Sequence, residues 1–471
     1  MTAAAVLGAL ALSIGAPPAP HPGGALLAAP LIEPAVCLGA AGDPKSRLEA
    51  CTRLIDATGP DRSIMARYRT ARGNARLSLK DDDGAEADFT AAIMAAPEDP
   101  DGWFGRAIAR SKRDEPVLAI ADYDTVLWLT PGDADALYNR AQLRSAAGDH
   151  GGAVSDLERA RAITPKDLDT LVNLGFEYGE VGRLDDELAC YAAVLALDPR
   201  RRSALVNRGA VYWLRNDWAG AARAWDAALD VYPKDSDLHR RRGGAAENLG
   251  DSKRARDEFS RAIALDPTNA DAFRNRAELE ARLGDQAKAV ADLRMIVTLQ
   301  PRDPAAIDEL AEALIDKHDL ADALVAVQSG LALAPENTAL RIDRGRVFWL
   351  QASYGAALSD YDAVLSREPR NSAALFDRAL VYHQQDHDVR AIRDLDAALA
   401  ADPGDAETLE KLGEIYAGID DYVTALEDLD AAIAADPKRA SAYRQRAKAE
   451  RAQGQAAAAA VDDAAAKRLG G

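Results

Sequence analysis

The sequence predicts an all-α protein built from repeated pairs of helices. Three observations lead to this prediction: an alanine-rich composition with few aromatic residues, a 34-residue period, and small residues at fixed places within that period. Of the 471 residues, 48% are hydrophobic, 28% are charged and only 6% are aromatic. Alanine, leucine, arginine and glutamate all favour helix, so this composition is typical of chains that pack as helices.

Residues 1–36 are predicted to be an Ala- and Pro-rich leader. Ala3 to Ala16 form a short apolar run that is followed by four prolines. Its length suits the core of a secretory signal peptide and is too short to span a bilayer. Because no Lys or Arg precedes the run, a disordered leader or a wrongly assigned start codon are the alternatives. We expect an exported chain, in the bacterial periplasm.

Residues 37–63 are predicted to form an N-terminal capping segment with one helix. Asp43 and Pro44 suit the residue before a helix and its first residue. An apolar stripe that includes Cys51 and Ile55 follows. We expect a lone second helix of an incomplete repeat, with Cys37 in an extended segment before it.

A 34-residue period organises the chain from residue 66 onwards. Eleven prolines stand at intervals of 34 from Pro97 to Pro437. When this proline is numbered 32, position 8 is Gly or Ala in all twelve units, and position 20 is Ala in all but one. Position 24 is large and apolar in the first eleven. These spacings predict two helices per unit, A and B, and the small residues let the helices approach closely.

The turns within the units and the end of the chain show further signals. Glycines such as Gly148 and Gly182 lie between the predicted helices, where a left-handed C-terminal residue is needed. Eleven units cover residues 66–437, and residues 438–471 are expected to form a capping unit. In that last unit Asp463 replaces the apolar residue at position 24, as a solvent-facing end requires.

The pattern resembles that of the tetratricopeptide repeat (TPR) family. Small residues at positions 8 and 20, the apolar residue at 24 and the proline at 32 match it. The resemblance implies an α-solenoid of about twelve repeats, forming a right-handed superhelix with a groove lined by the A helices. It also implies a protein-binding module with no chemistry of its own. The sequence departs from the family at position 7, which is usually leucine and here is Arg in nine of twelve units.

The Arg at position 7 is accompanied by an acid at position 23. Eight of the nine Arg units have both residues, and pairing each Arg with the acid of the previous unit fits fewer cases. A partly buried guanidinium favours a planar carboxylate partner, which predicts a salt bridge between helices A and B of one repeat. The alternative is that both residues were copied together as the repeats multiplied. The predicted pairs are Arg72–Asp88, Arg106–Asp122, Arg140–Asp156, Arg242–Glu258, Arg276–Asp292, Arg344–Asp360, Arg378–Asp394 and Arg446–Asp462.

The resemblance also implies where a ligand binds, because positions 2, 5, 6 and 9 face the groove in this family. In units two to five these positions combine apolar side chains with amides, which suits an extended peptide. The row of asparagines resembles the asparagine ladder of some peptide-binding TPR proteins; alternatively, it only bridges neighbouring A helices. Later units become charged at these positions, as at Asp308 and Glu312. The predicted groove residues are Phe104, Ile108, Tyr138, Asn139, Val172, Asn173, Phe176, Val206 and Asn207.

Two of the three cysteines are predicted to form a disulfide. Cys37 and Cys51 lie fourteen residues apart ahead of the first repeat, whereas Cys190 lies inside helix B of a repeat. Secreted bacterial proteins that resemble this one often carry such a pair. The bond requires an oxidising compartment, which agrees with export. The alternative is two reduced thiols in a cytosolic protein.

Several function classes are disfavoured by the sequence. A net charge of −19 repels nucleic acid. Beyond the leader no apolar run is long enough for a membrane span. His383 and His387 have the spacing of a zinc helix but lack its glutamate, so we expect neither metal nor cofactor. The sequence therefore predicts a non-enzymatic scaffold for a protein or peptide in the bacterial envelope. The alternative is a regulatory or substrate-presenting subunit of an envelope enzyme or secretion complex.

Overall fold

The computed structural model describes residues 32–39, 42–57 and 61–470, and this part of the chain contains helices and no strands. The predicted leader, up to residue 31, lies outside the described residues. The helices are α1 (Ile32–Leu38), α2 (Pro44–Ala57), α3 (Arg62–Ser78), α4 (Asp82–Ala95), α5 (Pro100–Lys112), α6 (Pro116–Leu129), α7 (Ala134–Ala146), α8 (His150–Ile163), α9 (Leu168–Glu180), α10 (Leu184–Leu197), α11 (Arg202–Leu214), α12 (Trp218–Val231), α13 (Ser236–Asn248), α14 (Ser252–Leu265), α15 (Ala270–Arg282), α16 (Gln286–Leu299), α17 (Pro304–Asp316), α18 (Leu320–Leu333), α19 (Thr338–Leu350), α20 (Tyr354–Leu365), α21 (Ser372–Gln384), α22 (Asp388–Leu399), α23 (Ala406–Gly418), α24 (Tyr422–Ala435), α25 (Ala440–Ala452) and α26 (Ala456–Arg468).

Twelve helix pairs follow the cap, one for each predicted repeat, which confirms the predicted fold class. From α3 onwards, odd-numbered helices are A helices and even-numbered helices are B helices. Within α3–α12 and within α15–α26 each A helix packs on its own B helix, and B helices pack on the A helix of the following repeat, as α4 does on α5. Every proline at position 32 lies two to four residues beyond the end of a B helix. It therefore occupies the turn between repeats, where a missing N–H group breaks no helical hydrogen bond.

The turn between helices A and B has the same conformation in every repeat. Position 15 has a positive φ in all twelve, as at Gly148 (80°) and Asp114 (62°). In eleven of these turns the amide of the following residue donates to a carbonyl five residues back, as Asp149 N does to Arg144 O over 2.8 Å. This is the left-handed helix ending that the glycines predicted. It is also adopted by seven residues other than glycine, among them Ala352.

The large residue at position 24 is buried between neighbouring A helices. The Phe89 ring lies so close to the backbone of Gly73 and Gly105 that a Cβ atom there would come within 2.7 Å and 2.3 Å of it. Trp225 lies in the same way against Gly209. Position 8 is Gly or Ala for this reason, since a larger side chain there would displace the residue at position 24 from the core.

The N-terminal cap differs from the prediction in one respect. It is a shortened helix pair rather than a lone helix, because α1 precedes α2 and packs on both α2 and α3. Helix α1 begins at Ile32, inside the predicted leader, and Cys37 is helical rather than extended. Helix α2 begins at Pro44, and Asp43 accepts a hydrogen bond from the amide of Ser46 (2.9 Å), as its predicted capping role requires.

A disulfide joins the two helices of the cap. Cys37 and Cys51 are bonded, with Cα atoms 4.9 Å apart, and both are fully buried against Ala50 and Ala71. The pairing predicted from sequence is therefore present in the structure.

The described residues divide into two compact units, one up to residue 249 and one from residue 250 onwards. The first contains the cap and the predicted groove residues, and the second ends in the capping repeat. In that repeat Asp463 is exposed and forms a salt bridge with Arg451, as expected of a solvent-facing end.

Candidate functional site

Seven of the eight predicted Arg–acid pairs form two parallel hydrogen bonds within one repeat. In each pair, Nε and a terminal nitrogen of the Arg donate to the two carboxylate oxygens over 2.5–2.9 Å. The acid side chains are 1–8% exposed and the Arg side chains 10–28%. Hydrogen bonding to Asp394 raises the pKa of Arg378 above its usual value. These pairs hold helix A to helix B in a buried setting where the bidentate geometry is most effective.

The eighth predicted pair belongs to a single repeat, but Arg242 lies in the first compact unit and Glu258 in the second. Within its own unit, Arg242 donates from Nε to Asp226 over 2.7 Å. Asp226 belongs to the preceding repeat, at position 25.

Contacts of this second kind recur and were not predicted from the sequence. The free terminal nitrogen of Arg140 donates to Asp124 over 2.5 Å, and that of Arg378 donates to Asp362 over 2.6 Å. Arg446 donates to Asp430 in the same way. One guanidinium therefore joins an acid sixteen residues ahead in its own repeat to an acid sixteen residues behind. Comparing position 7 with position 25 of the previous repeat would have found this relation.

Repeat eleven shows what happens when the Arg is missing. Leu412 occupies position 7 there, while the acid, Asp428, is kept. Asp428 Oδ2 is buried and has no hydrogen-bond partner. Burial, together with the nearby Asp396, raises the pKa of Asp428 to about 6. This carboxyl is therefore destabilising when it is ionised.

We expect Asp428→Asn to stabilise the protein at neutral pH. The folded-state pKa of Asp428 lies above the unfolded value, so the stability cost is fully present above pH 6 and vanishes below about pH 4. After allowance for solvent screening at this half-exposed site, the gain is on the order of 1 kcal/mol. Urea unfolding of both proteins at pH 8 and pH 4 measures it, and an equal difference at both pH values would contradict the prediction.

The predicted groove residues lie on the A helices of repeats two to five, all within the first unit. Ile108, Tyr138, Val172 and Phe176 are partly exposed. Two of the predicted residues are buried rather than partly exposed: Phe104, in edge-to-face contact with Tyr123 (5.5 Å between ring centres), and Val206. Both fill the space between helices of their own repeats instead of facing solvent.

The three asparagines are also partly exposed, and each contacts a tyrosine. Asn173 Nδ2 donates to the Tyr138 hydroxyl over 2.7 Å, and Asn207 Nδ2 lies 3.4 Å from the hydroxyl of Tyr191. Asn139 forms a hydrogen bond with Tyr123. The amides therefore bridge neighbouring repeats, as the alternative interpretation of the ladder required. An amide has two donors and an acceptor, so one such bond leaves capacity for a ligand.

A buried glutamate interrupts the pattern of position 20 in repeat four. Glu187 replaces the alanine of position 20 and fits because Gly179 opposite has no side chain: a Cβ atom there would lie 2.6 Å from Glu187 Oε2. Burial raises the pKa of this carboxyl to about 7. In the same repeat burial raises the pKa of the Cys190 thiol to about 11, so the thiol is not ionised at neutral pH.

The two histidines that have zinc-like spacing have different surroundings. His383 Nδ1 is 2.7 Å from an oxygen of Asp388, and His387 is the residue before helix α22. His383 lies in the last turn of α21, whereas His387 lies in the turn between helices A and B of repeat ten, as predicted. No helix in the described part of the chain has both the length and the apolar character that crossing a membrane requires.

Comparison with known proteins agrees with the repeat architecture. The family model described as tetratricopeptide repeat matches residues 173–236, 215–270, 242–304 and 343–406. No curated protein sequence matches this chain.

Three of the solved structures that are similar to this chain are the following. Yeast Tom70 is 14% identical over 86% of this chain and 92% of its own, with a TM-score of 0.46. The Cut9–Hcn1 hetero-tetramer of APC/C is 14% identical over 86% and 93%, with a TM-score of 0.40. The C-terminal part of a TPR protein from Cytophaga hutchinsonii is 16% identical over 51% and 99%, with a TM-score of 0.45. With its twelve helix pairs, its 34-residue period and the matching family model, the chain belongs to the tetratricopeptide repeat family.

Proposed function

We propose that this protein is a non-enzymatic scaffold that holds a protein or an extended peptide on the A helices of repeats two to five. The observation that carries the proposal is a strip of partly exposed side chains at equivalent positions of successive A helices. It combines apolar groups (Ile108, Val172, Phe176) with amides (Asn173, Asn207). Amides can bind a peptide backbone of any sequence, while apolar side chains accept its side groups.

The setting that we propose is the bacterial envelope. The buried disulfide of the cap suits an oxidising compartment, because cytosolic thiols are normally kept reduced. The apolar N-terminal run followed by prolines supports export independently. The net charge of −19 favours partners that are neutral or basic in the bound segment.

Photo-crosslinking from inside the strip tests the proposal. A photoreactive residue at position 176 is expected to capture a partner from an envelope extract, and the same residue at position 192 is not. Ala192 is the matched control because it is exposed and lies on helix B of the same repeat. Equal capture from both positions, or none from position 176, would contradict binding on the A-helix strip. Recovery of a stable enzyme or secretion assembly would favour the alternative, a regulatory or substrate-presenting subunit.

Replacing the amides tests their part in binding. We expect Asn139, Asn173 and Asn207, changed together to alanine, to weaken binding of the captured partner at least about tenfold, since each amide contributes roughly 0.5–1.5 kcal/mol. Asn275→Ala, at the same repeat position in the second unit, is the control and should leave binding unchanged. Unchanged binding by the triple variant would remove the amides from the site.

A further inference from the structure

Three carboxylates on neighbouring A helices of the second unit lie close together. Asp308 and Glu312 are four residues apart on α17, so they share one face of that helix, and Asp343 is on α19. One oxygen from each lies within 4.8 Å of the others. We call Asp308, Glu312 and Asp343 the acidic cluster. Asp308 is at position 5 of its repeat and Asp343 at position 6 of the next, and the same two positions are in contact where Asn173 binds Tyr138.

The deepest carboxylate of the acidic cluster lacks a partner for one oxygen. The Asp343 side chain is 3% exposed, and its Oδ2 is buried without a hydrogen bond. Asp308 Oδ1 is likewise buried and without a partner. A buried carboxylate oxygen is costly unless it is paired, hydrogen-bonded or bound to a metal.

The basic side chains nearby are already used by other acids. Arg346 lies 3.5 Å from Asp343 Oδ1, but it makes a shorter contact of 2.7 Å with Asp377. Arg274 is paired with Glu309 over 2.9 Å. Within the described residues, neither Asp308 nor Glu312 forms a salt bridge with Lys or Arg. The three carboxylates therefore lie close together without enough nearby positive charge to neutralise them.

The pKa values of the two aspartates reflect the same imbalance. Burial first, and then repulsion from Glu312, raises the pKa of Asp308 to about 6. Burial and the neighbouring Asp308 raise the pKa of Asp343 to about 8. A bound cation would remove the repulsion and supply the missing partner at once.

We propose that the acidic cluster binds a hard divalent cation, with Ca²⁺ as the best fit. The ligand set is oxygen only, which suits Ca²⁺ and Mg²⁺ and disfavours metals that prefer nitrogen or sulfur. Calcium–oxygen distances of about 2.3–2.6 Å allow two ligand oxygens to lie up to about 5 Å apart, and the spacing in the cluster is within that limit. Carboxylates from two repeats provide three ligands, and water completes the coordination. A single proton shared between Asp308 and Asp343 is the competing explanation.

Calorimetric titration of the whole chain with CaCl₂ tests the proposal. The protein is first freed of metal with a chelator, and about 150 mM KCl screens diffuse cation binding to its acidic surface. We expect one saturable site per chain with a dissociation constant below about 1 mM, the range of extracellular calcium modules. We also expect the unfolding temperature to rise with calcium concentration.

Two variants and one control decide between a cation and a proton. Asp343→Asn should weaken calcium binding at least about tenfold while leaving the chain folded, because it removes charge and keeps shape. Glu312→Lys places an ammonium where the cation would bind, so it should stabilise the calcium-free protein and abolish the response to calcium. Asp428→Asn is the control, because Asp428 lies outside the cluster and its carboxyl also has a raised pKa. This variant should bind calcium as the wild type does. Wild-type calcium affinity in Asp343→Asn overturns the proposal. The proposal is also overturned if the wild-type chain binds no calcium and Asp343→Asn makes the protein more stable. That result would show that the two aspartates only share a proton.

Discussion

We expect Asp156→Ala to lower the free energy of unfolding by about 3–5 kcal/mol, the cost of breaking a buried ion pair from one side. Asp156 is 1% exposed and accepts hydrogen bonds from Arg140 at both oxygens. It accepts a further bond from Arg144 over 2.8 Å. The substitution therefore removes the bidentate partner of the nearly buried Arg140, which keeps only the exposed Asp124, and it removes the buried acceptor of Arg144. Urea unfolding measures the total, and hydrogen exchange should locate the loss in α7 and α8, since solenoid repeats contact mainly their neighbours.

Asp124→Ala is the matched control. Asp124 also binds Arg140, over 2.5 Å, but its side chain is 53% exposed. Its removal should cost less than about 1 kcal/mol, as for other exposed pairs. Equal losses from the two variants would show that the pair within one repeat has no special role.

The second large effect is expected at the cap. Reducing the Cys37–Cys51 bond should destabilise α1 and α2 by roughly 3 kcal/mol, the chain-entropy value for a loop of fourteen residues. Among the described residues of α1 and α2, the buried ones are Cys37, Ala50 and Cys51, which pack with Ala71 of α3, so the apolar core that holds α1 is small. Hydrogen exchange over residues 32–57, with and without reductant, measures the change, and we expect the later repeats to be unaffected.

Cys190→Ala is the control for this experiment. The Cys190 thiol is 2% exposed and lies far along the chain in α10, so reductant should act on this variant as it does on the wild type. Alkylation of all three thiols without prior reduction, read by mass spectrometry of the native protein, would contradict both the bond and the proposed export.

Relations inside one repeat could be predicted from the sequence because they occur up to twelve times. The pairing of Arg72 with Asp88 recurs at a fixed spacing of sixteen residues, so the repeats act as their own comparison. The same internal evidence predicted the helix pairs, the turns and the small residues beneath the large one at position 24. Burial of Phe104 and Val206 was not predicted, because neighbouring helices in the folded chain decide which groove positions remain open.

The sequence by itself determined the period, the two-helix repeat, the Arg–acid pairs and the cysteine pair of the cap. Each depends on local spacing along a helix or on a bond between two residues close in the chain. Only the tertiary structure decided what lies between repeats: the contact of Arg140 with Asp124, the bond from Asn173 to Tyr138, and the meeting of Asp308 with Asp343. Those contacts depend on how neighbouring repeats are packed, and the acidic cluster occurs once among the described residues, so no repetition in the sequence could reveal it.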